Sequence, residues 1–396
     1  MSLFYKSIFI LYILFSIYFN YKKRNNELSK SKNELEIYKK YIDNCNNLKI
    51  ITTQSKEKKD SPFLSICIPT YNIEKYIEKA LISIINQSFQ DYEIILIDDF
   101  SFDKTKSIIK NQQIKNNKIR IIEHNKNLGI YRSRIDGFLN SKGKYILYLD
   151  PDDLILNPNL FQILFDQFLK DNLDIIEFTV YHQNEITKEI FFPKDHLLNH
   201  YHKFKNTIIN QPELSNILFY KPRTKRYSMV ICRTIWNKIV KAEVLKKSFY
   251  FIGEEYYKEY LILAEDTIMN IINFQFASNY SNIYLPGYMY NLRKISISHG
   301  DQGINHEIIQ SLNIFYYFKI FYRYIKVFNK NRNYLFYDMK EFNNYLLKFK
   351  VYNNTKIKDN INIFFFEILI DKYSSKIFKN YILQLLFEVI FNQINF

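Results

Sequence analysis

The sequence predicts an α/β fold with a mostly parallel central sheet. Short apolar segments of strand length alternate with segments of helical periodicity between residues 63 and 180. Two of the apolar segments run directly into acidic residues, at Asp98-Asp99 and at Asp150-Pro151-Asp152-Asp153. Because ligands bind at the carboxyl ends of parallel strands, we expect both acidic groups at one ligand-binding edge of the sheet.

The first predicted strand covers residues 63–68 and ends at Pro69-Thr70-Tyr71-Asn72, where Asn72 is expected to cap a helix. In that helix apolar residues recur at i, i+3, i+4 and i+7; they are Ile73, Tyr76, Ile77, Ala80, Leu81, Ile84 and Ile85. A second strand over residues 92–97 ends at Asp98-Asp99-Phe100-Ser101. The pattern continues with helices over 103–110, from Leu128-Gly129 onward and over 160–169, and with strands over 118–122, 145–149 and 174–180.

The strand at 145–149 is apolar throughout, which is typical of a buried parallel strand. Asp150, Asp152 and Asp153 follow it and would repel one another unless a hard cation, Mg²⁺ or Mn²⁺, lay between them. Such an ion usually has phosphate on its other side, so the stretch indicates a nucleotide-activated substrate. The alternative interpretation is an acidic turn that caps the next segment.

Length and composition allow two or three domains, or one large domain with extensions, in 396 residues. The net charge of +15 is compatible with an anionic partner, but the positive residues are widely spread and form no nucleic-acid-binding motif. We therefore expect no nucleic-acid partner. Cys45, Cys67 and Cys232 are far apart, so the sequence supports neither a zinc site nor a disulfide framework.

The N-terminus predicts a membrane anchor over residues 1–21. The 15 residues 7–21 are uncharged, and Lys22, Lys23 and Arg24 follow at once. This run is shorter than the roughly 20 residues of a membrane span, but snorkelling by Lys6 and interfacial tyrosines would close the gap. A cleaved signal peptide is the rival interpretation, and it lacks an A-x-A cleavage site. We expect a single-pass membrane protein, in the endoplasmic reticulum or Golgi if the source is eukaryotic, although the basic cluster favours a cytoplasmic C-terminal side.

Two flanking regions have their own character. Residues 22–61 are charged and predict a stalk between membrane and catalytic body. From residue 308 onward Tyr, Phe and Ile recur at helical spacing, which predicts a helical C-terminal extension over residues 301–396.

The central motifs resemble those of the family 2 glycosyltransferases, inverting enzymes with the nucleotide-sugar-binding fold called GT-A. The matching segments are, in order, residues 65–72, residues 93–105, Asn127-Leu128-Gly129 with Arg134, and residues 143–153. A looser match runs from Trp236-Asn237-Lys238 through Ala264-Glu265-Asp266-Thr267 to the segment 288–293. One departure is Phe100, where the family usually carries glycine. The resemblance implies a GT-A catalytic domain over residues 62–300.

The resemblance also implies the site. A nucleotide-sugar donor, most simply a UDP-sugar, would be bound by Pro69, Thr70, Tyr71, Asn72, Asp99, Ser101, Arg134 and Asp150. Within that set, Tyr71 would lie near the uracil ring and Asp99 would accept a hydrogen bond from the base. Asp150 and Asp152 would form the D-x-D pair that holds Mn²⁺ or Mg²⁺. Asp153 would orient the donor sugar or cap the next segment.

By the same resemblance Asp266 is the catalytic base and Glu265 its neighbour. On a helix, Asp266 lies about 200° around from Ala264, away from the apolar stripe, and could face a cleft. The alternative is an ordinary acidic residue in a first helical turn. The implied reaction is metal-assisted transfer, with inversion, of a sugar to a hydroxyl of a glycan, glycolipid or protein. Two alternatives remain open: transfer to a polyisoprenyl phosphate, and a catalytically inactive nucleotide-sugar-binding scaffold.

Overall fold

The computed structural model describes residues 61–192, 207–214, 234–253, 256, 265–293 and 320. Its strands are β1 Leu64–Thr70, β2 Tyr92–Asp98, β3 Ile119–Glu123, β4 Tyr145–Tyr148, β5 Leu154–Ile155, β6 Ile175–Asn184, β7 Ile190–Phe191, β8 Ile208–Asn210, β9 Lys238–Lys241 and β10 Asn279–Leu292. Its helices are α1 Ile77–Ile85, α2 Thr105–Lys115, α3 Ile130–Leu139, α4 Leu160–Asp171, α5 Ala242–Ile252 and α6 Glu265–Phe276.

These strands form one mixed sheet in the order β3-β2-β1-β4-β9-β6-β10-β5, with β7 on β6 and β8 on β10. Strands β1 to β4 pair in parallel, as do β6 and β10. Strand β9 lies antiparallel between β4 and β6, and β5, β7 and β8 also pair antiparallel. The predicted mostly parallel sheet is therefore correct for the first four strands and needs correction beyond β4. Strand β9 begins beside the carboxyl end of β4, so it can pair with β4 only in the opposite direction.

The core lies on both faces of the sheet. Strands β1 and β2 are buried along their whole length, which explains why they are apolar almost throughout rather than alternating. Helices α1 and α4 contribute their apolar residues to one face. On the other face, α3 approaches so closely that a Cβ added at Gly137 would lie 3.0 Å from both Cys67 Cβ and Ile97 Cδ1.

The register of the parallel strands determines where the loops that carry the acidic groups leave the sheet. Thr70 pairs with Asp98 at the ends of β1 and β2, and Cys67 of β1 pairs with Tyr148 at the end of β4. The loops after these three strands therefore emerge at one edge of the sheet. This arrangement confirms that the two acidic groups share that edge.

The predicted cap at Asn72 is wrong. Helix α1 begins at Ile77, and no side chain caps it. The residues before it bond instead to the start of α2 and the loop that precedes it. The N–H of Ile73 donates to Thr105 Oγ1 at 2.7 Å, and the N–H of Glu74 donates to Asp103 Oδ2 at 3.2 Å. Asn72 itself has φ of 47° and accepts a hydrogen bond from the N–H of Phe102.

Within the residues described here, no helix combines the length and the apolar character that a membrane crossing requires. The predicted anchor over residues 1–21 lies outside the described residues. So do the predicted stalk and C-terminal extension, apart from Ser61 and Ile320.

Candidate active site

A buried arginine forms ion pairs with three acidic residues from distant parts of the chain. Arg134 of α3 is 1% exposed, and its Nη2 lies 3.0 Å from Asp150 Oδ1. Its Nη1 lies 2.9 Å from Glu265 Oε1 and also pairs with Asp266 Oδ1. The two α6 residues are 131 and 132 positions away along the sequence. We call Arg134, Asp150, Glu265 and Asp266 the carboxylate cluster.

The members of the cluster differ in exposure and therefore in titration. Burial raises the pKa of Glu265 to about 8, and the neighbouring charge of Asp266 adds to this shift. Burial likewise raises the pKa of Asp150 to about 6. Burial opposes the charge of Arg134, but the surrounding carboxylates outweigh it, so its pKa stays above the usual range. Burial therefore favours the neutral form of Glu265, while the 21% exposed side chain of Asp266 is open to a reactant.

The turn after β4 is tied to β10 through Asp153. Its Oδ2 accepts a hydrogen bond from the hydroxyl of Tyr288 at 2.7 Å, and its Oδ1 accepts one from the N–H of Asn291 at 2.8 Å. The N–H of Asp150 donates to the same Tyr288 oxygen at 3.3 Å. Because Asp153 is 1% exposed, burial holds its pKa well above the usual range. The structure thus gives Asp153 the task of anchoring the turn, which neither sequence interpretation had proposed.

Asp152 faces a second arginine. Its Oδ2 lies 2.6 Å from Nε of Arg293, and the guanidinium of Arg293 lies 5.2 Å from the ring centroid of Tyr76. The hydroxyl of Tyr76 donates a hydrogen bond to Glu185. The sequence analysis placed Tyr76 in the apolar stripe of the first helix and Arg293 in the segment 288–293. It gave neither residue a role at the site, because nothing local in the sequence brings them to Asp152.

The predicted metal ligands Asp150 and Asp152 lie in one turn, and each is paired with a different arginine. Throughout the described residues, no three acidic, histidine or cysteine side chains are grouped as metal ligands. Mg²⁺ commonly takes only one or two protein carboxylates and completes its shell with water and substrate phosphate. The donor set therefore fits such an ion, which would compete with Arg293 for Asp152.

The predicted donor residues at β1 and β2 divide into buried and exposed groups. Pro69 and Thr70 are buried in β1, and the hydroxyl of Thr70 donates to the carbonyl of Ile97 at 3.0 Å. The hydroxyl of Ser101 accepts the N–H of Asn72 at 3.1 Å. Tyr71 is 44% exposed, so its ring is open to a ligand. The predicted ligand contacts of these residues stay predictions.

The carboxylate of Asp99 is hydrogen-bonded to other residues of the protein. It accepts the backbone N–H groups of Leu128 at 2.7 Å and of Gly129 at 2.8 Å. It also lies 2.8 Å from Nδ1 of His124. Asp99 therefore holds the residues that lead into α3, which carries Arg134. Its expected hydrogen bond from a nucleobase stays a prediction.

His124 follows β3 at the same edge of the sheet, and sequence reasoning missed it. Its Nε2 lies 3.1 Å from Asp136 Oδ2, which also accepts from Nε of Arg132 at 2.7 Å. The bonds to Asp136 and Asp99 raise the pKa of His124 to about 9. The only sequence signal for His124 is its position directly after a strand of the parallel set.

Comparison with known proteins agrees with the motifs. The family model for glycosyl transferase family 2 matches residues 65–236. An uncharacterized glycosyltransferase, EpsJ of Bacillus subtilis, is 26% identical over 216 residues, which are 54% of this chain and 57% of that protein. The GalNAc(5)-diNAcBac-PP-undecaprenol beta-1,3-glucosyltransferase of Campylobacter jejuni is 38% identical over 97 residues, 24% of this chain and 31% of that protein. The matches therefore span about a third to three fifths of these relatives' own lengths.

Among solved structures, S. aureus TarS 1-349 in complex with UDP-GlcNAc aligns with a TM-score of 0.46 and 17% identity. That alignment covers 75% of this chain and 83% of that one.

Proposed function

We propose that this chain, a member of glycosyl transferase family 2 through residues 65–236, transfers a sugar from a nucleotide-sugar donor to an acceptor hydroxyl. The observation that carries the proposal is the carboxylate cluster. It places Asp266 of α6 beside Asp150, at the edge where the predicted donor loops end.

Asp266 is the general base of the proposed reaction. It takes the proton of the acceptor hydroxyl as the hydroxyl oxygen attacks the anomeric carbon and the bond to the nucleoside diphosphate breaks. Arg134 fixes the position of the Asp266 carboxylate. In its neutral form, which burial favours, Glu265 adds no second negative charge beside it. Attack from the side opposite the diphosphate inverts the anomeric centre.

Asp150 and Asp152 would hold Mn²⁺ or Mg²⁺ together with the donor diphosphate. When bound, such an ion neutralises the charge that develops on the leaving diphosphate. Within the chain, Arg293 neutralises Asp152 and also lies over the ring of Tyr76, which would remain its partner if Asp152 held an ion. UDP-sugars are the proposed donors, with Tyr71 beside the uracil.

The acceptor hydroxyl belongs to a glycan, a glycolipid or a protein. A lipid-linked acceptor has specific support, because the C. jejuni relative is named for an undecaprenol-linked substrate. That substrate is a glycan already joined to the lipid through a diphosphate, so it supports a glycolipid hydroxyl as acceptor. A polyisoprenyl phosphate is the second candidate acceptor. We also propose that residues 1–21 anchor the protein in a membrane, where a glycolipid or a polyisoprenyl phosphate would be accessible.

A donor screen with site variants tests the proposal. UDP release is measured with UDP- and GDP-sugars, with and without Mn²⁺, and UDP binding is measured by calorimetry. Asp266→Asn should lower transfer by about 10²- to 10⁴-fold, as expected for loss of a general base, and should leave UDP binding unchanged. Asp152→Ala should abolish the dependence of UDP binding on metal.

Asp166→Asn, which alters an exposed carboxylate on α4, is the matched control and should behave like wild type. Full-rate transfer by Asp266→Asn would reject Asp266 as the base. Tight UDP binding without turnover of any sugar donor would instead favour the inactive scaffold.

A further inference from the structure

The edge of the sheet opposite the carboxylate cluster exposes apolar side chains. Helices α2, α3 and α4 end at this edge, just before β3, β4 and β6 begin. The last turn of each helix exposes one aliphatic residue: Ile114 is 83% exposed, Leu139 62% and Leu169 64%. Single exposed aliphatic residues are ordinary, but three at one edge form a repeated feature. We call the segments at this edge the amino edge; they are residues 86–91, 114–118, 139–144, 169–174 and 241–247.

The amino edge is also basic. Among its exposed charged residues, Asp91 is the acidic one. The other five are lysines: Lys115, Lys142, Lys144, Lys170 and Lys246. Within the described part of the chain, these five lysines form no ion pair, so their charges are available to a partner.

Backbone hydrogen bonds hold the segments of the amino edge together. The N–H of Ala242 donates to the carbonyl of Lys144 at 2.9 Å, and the N–H of Lys241 donates to the carbonyl of Asp174 at 2.8 Å. The N–H of Lys144 also donates to the carbonyl of Pro62 at 3.3 Å. Pro62 lies just before β1, so the chain that follows the predicted anchor and stalk enters the sheet at the amino edge. From β3 to β6 this edge is five strand spacings wide, about 24 Å.

We propose that the amino edge docks on the surface of an anionic lipid bilayer. The lysines would meet the lipid phosphates, and Ile114, Leu139 and Leu169 would enter the headgroup layer. A nucleic acid would also attract the lysines, but it offers no apolar layer to the three aliphatic side chains. The docking requires no sugar donor, so it stands apart from the proposed function.

Docking on the amino edge would fix the position of the carboxylate cluster. Strands β1 and β2 have seven residues each and cross about 20 Å between the two edges of the sheet. The cluster would then lie on the side of the sheet away from the bilayer. If the proposed function holds, an outer sugar of a lipid-linked glycan would reach the cluster, whereas a polyisoprenyl phosphate would lie at the wrong edge.

Fluorescence energy transfer to labelled lipids measures which edge faces the bilayer. The full chain carries one dye, in a background where Cys45 and Cys232 are replaced by serine and the buried Cys67 is kept. Asn117→Cys places the dye at the amino edge, and Thr187→Cys places it at the opposite edge, in the turn between β6 and β7. On vesicles of phosphatidylcholine with phosphatidylglycerol, the dye at 117 should transfer more energy than the dye at 187. The difference should be lost on phosphatidylcholine alone and at high salt.

Substitution of the amino edge tests which residues cause the docking. The edge variant replaces Ile114, Leu139 and Leu169 with asparagine and Lys142 and Lys144 with glutamine. It should lose the difference between the two dyes on anionic vesicles. All five side chains are exposed, so the fold should be unaffected.

The matched control makes the same kinds of change at the opposite edge. It combines Ile186→Asn, Lys75→Gln and Lys188→Gln, and all three residues are exposed. This control should keep the wild-type difference between the dyes.

Each other outcome rejects the docking. Equal transfer from the two dyes on anionic vesicles, or stronger transfer from the dye at 187, shows that the amino edge does not face the bilayer. An equal difference on phosphatidylcholine alone rejects an anionic lipid as the partner. A particle mass in solution that falls in the edge variant, measured by light scattering, shows that a second copy of the chain covers this edge instead. These results leave the glycosyltransferase proposal standing, since sugar transfer is measured without vesicles.

Discussion

Glu265 and Asp266 are neighbours that contact the same nitrogen of Arg134, yet they have different surroundings. The Glu265 side chain is 8% exposed, whereas that of Asp266 is 21% exposed. A buried carboxyl group keeps its proton to higher pH because the charged form is poorly solvated. At the scale of single residues, exposure therefore assigns the two acids separate tasks: Glu265 is a neutral support, and Asp266 is available to a substrate.

This assignment predicts how Glu265 affects stability. Because its folded pKa of about 8 lies above the unfolded value, wild type loses stability as pH rises from about 4.5 to about 8. Glu265→Gln cannot lose a proton and avoids this loss. The stability of the variant relative to wild type should therefore rise between pH 5 and pH 8.5, measured by urea unfolding.

The exposed Glu189 provides the control for this experiment, since Glu189→Gln should show no such trend. A stability difference between Glu265→Gln and wild type that stays constant with pH would show that Glu265 is ionised in the folded protein.

At the scale of elements, β3 and α3 are joined by a chain of alternating charges. His124, directly after β3, lies between Asp99, which follows β2, and Asp136 of α3. Arg132 pairs with the same oxygen of Asp136 that His124 contacts. The same Asp99 holds the N–H groups of Leu128 and Gly129, just before α3 begins. Helix α3, and Arg134 with it, is thus positioned by the carboxyl ends of two strands.

The charge of His124 gives this connection a pH dependence. Its folded pKa of about 9 lies above the unfolded value of about 6.5. The stabilisation that charged His124 gives through Asp99 and Asp136 is therefore complete below pH 6.5, and it is lost as pH rises through about 9. His124→Gln should be clearly less stable than wild type at pH 6, with the difference shrinking by pH 9.5 in urea unfolding. An equal difference at both pH values would contradict a charged His124.

Local sequence patterns predicted the elements around the site well. Every strand and helix expected between residues 63 and 180 is present. In β1, β2, β4, α1 and α4 the apolar residues are the ones that the element buries. Helix α2 is the exception, since it buries Thr105 and Gln112 and leaves Ile114 exposed. The cap at Asn72 was wrong because a partner loop some 30 residues away takes up its amide oxygen. Strands β9 and β10 were not predicted as strands: their positions follow from pairing with β4 and β6, not from a local pattern.

The site was predictable only in part, because some of its residues follow from local patterns and others from tertiary contacts. Strand ends put Asp99 and Asp150 at one edge, whereas the resemblance alone pointed to Asp266. The sequence could not show which cation each carboxylate meets. Arg134, Arg293 and His124 reach their partners through tertiary packing, and no spacing in the sequence encodes those contacts.

At the scale of the whole molecule, Arg134 connects the parallel strands to α6. Its pairs with Asp150, Glu265 and Asp266 link segments that are 16 to 132 residues apart. The Arg134 side chain is 1% exposed, whereas those of Asp150 and Asp266 are 20% and 21% exposed, so the ion pairs lie at the border between the core and the solvent. Arg134 therefore links the turn after β4 to the start of α6.

Replacing Arg134 alone should lower the stability of the protein strongly. Replacing the charged acids together with Arg134 should lower it much less. Arg134→Met should lower the free energy of unfolding at pH 7 by about 3–5 kcal/mol, because buried carboxylates are left without a partner. Adding Asp150→Asn and Asp266→Asn to that variant removes the unpaired charges and should recover most of the loss, since buried ionic clusters and neutral replacements often have similar stability. Urea unfolding of the three proteins measures both steps. A combined variant no more stable than Arg134→Met would mean that the arginine acts through packing rather than charge, and that α6 is held to the sheet by its apolar contacts alone.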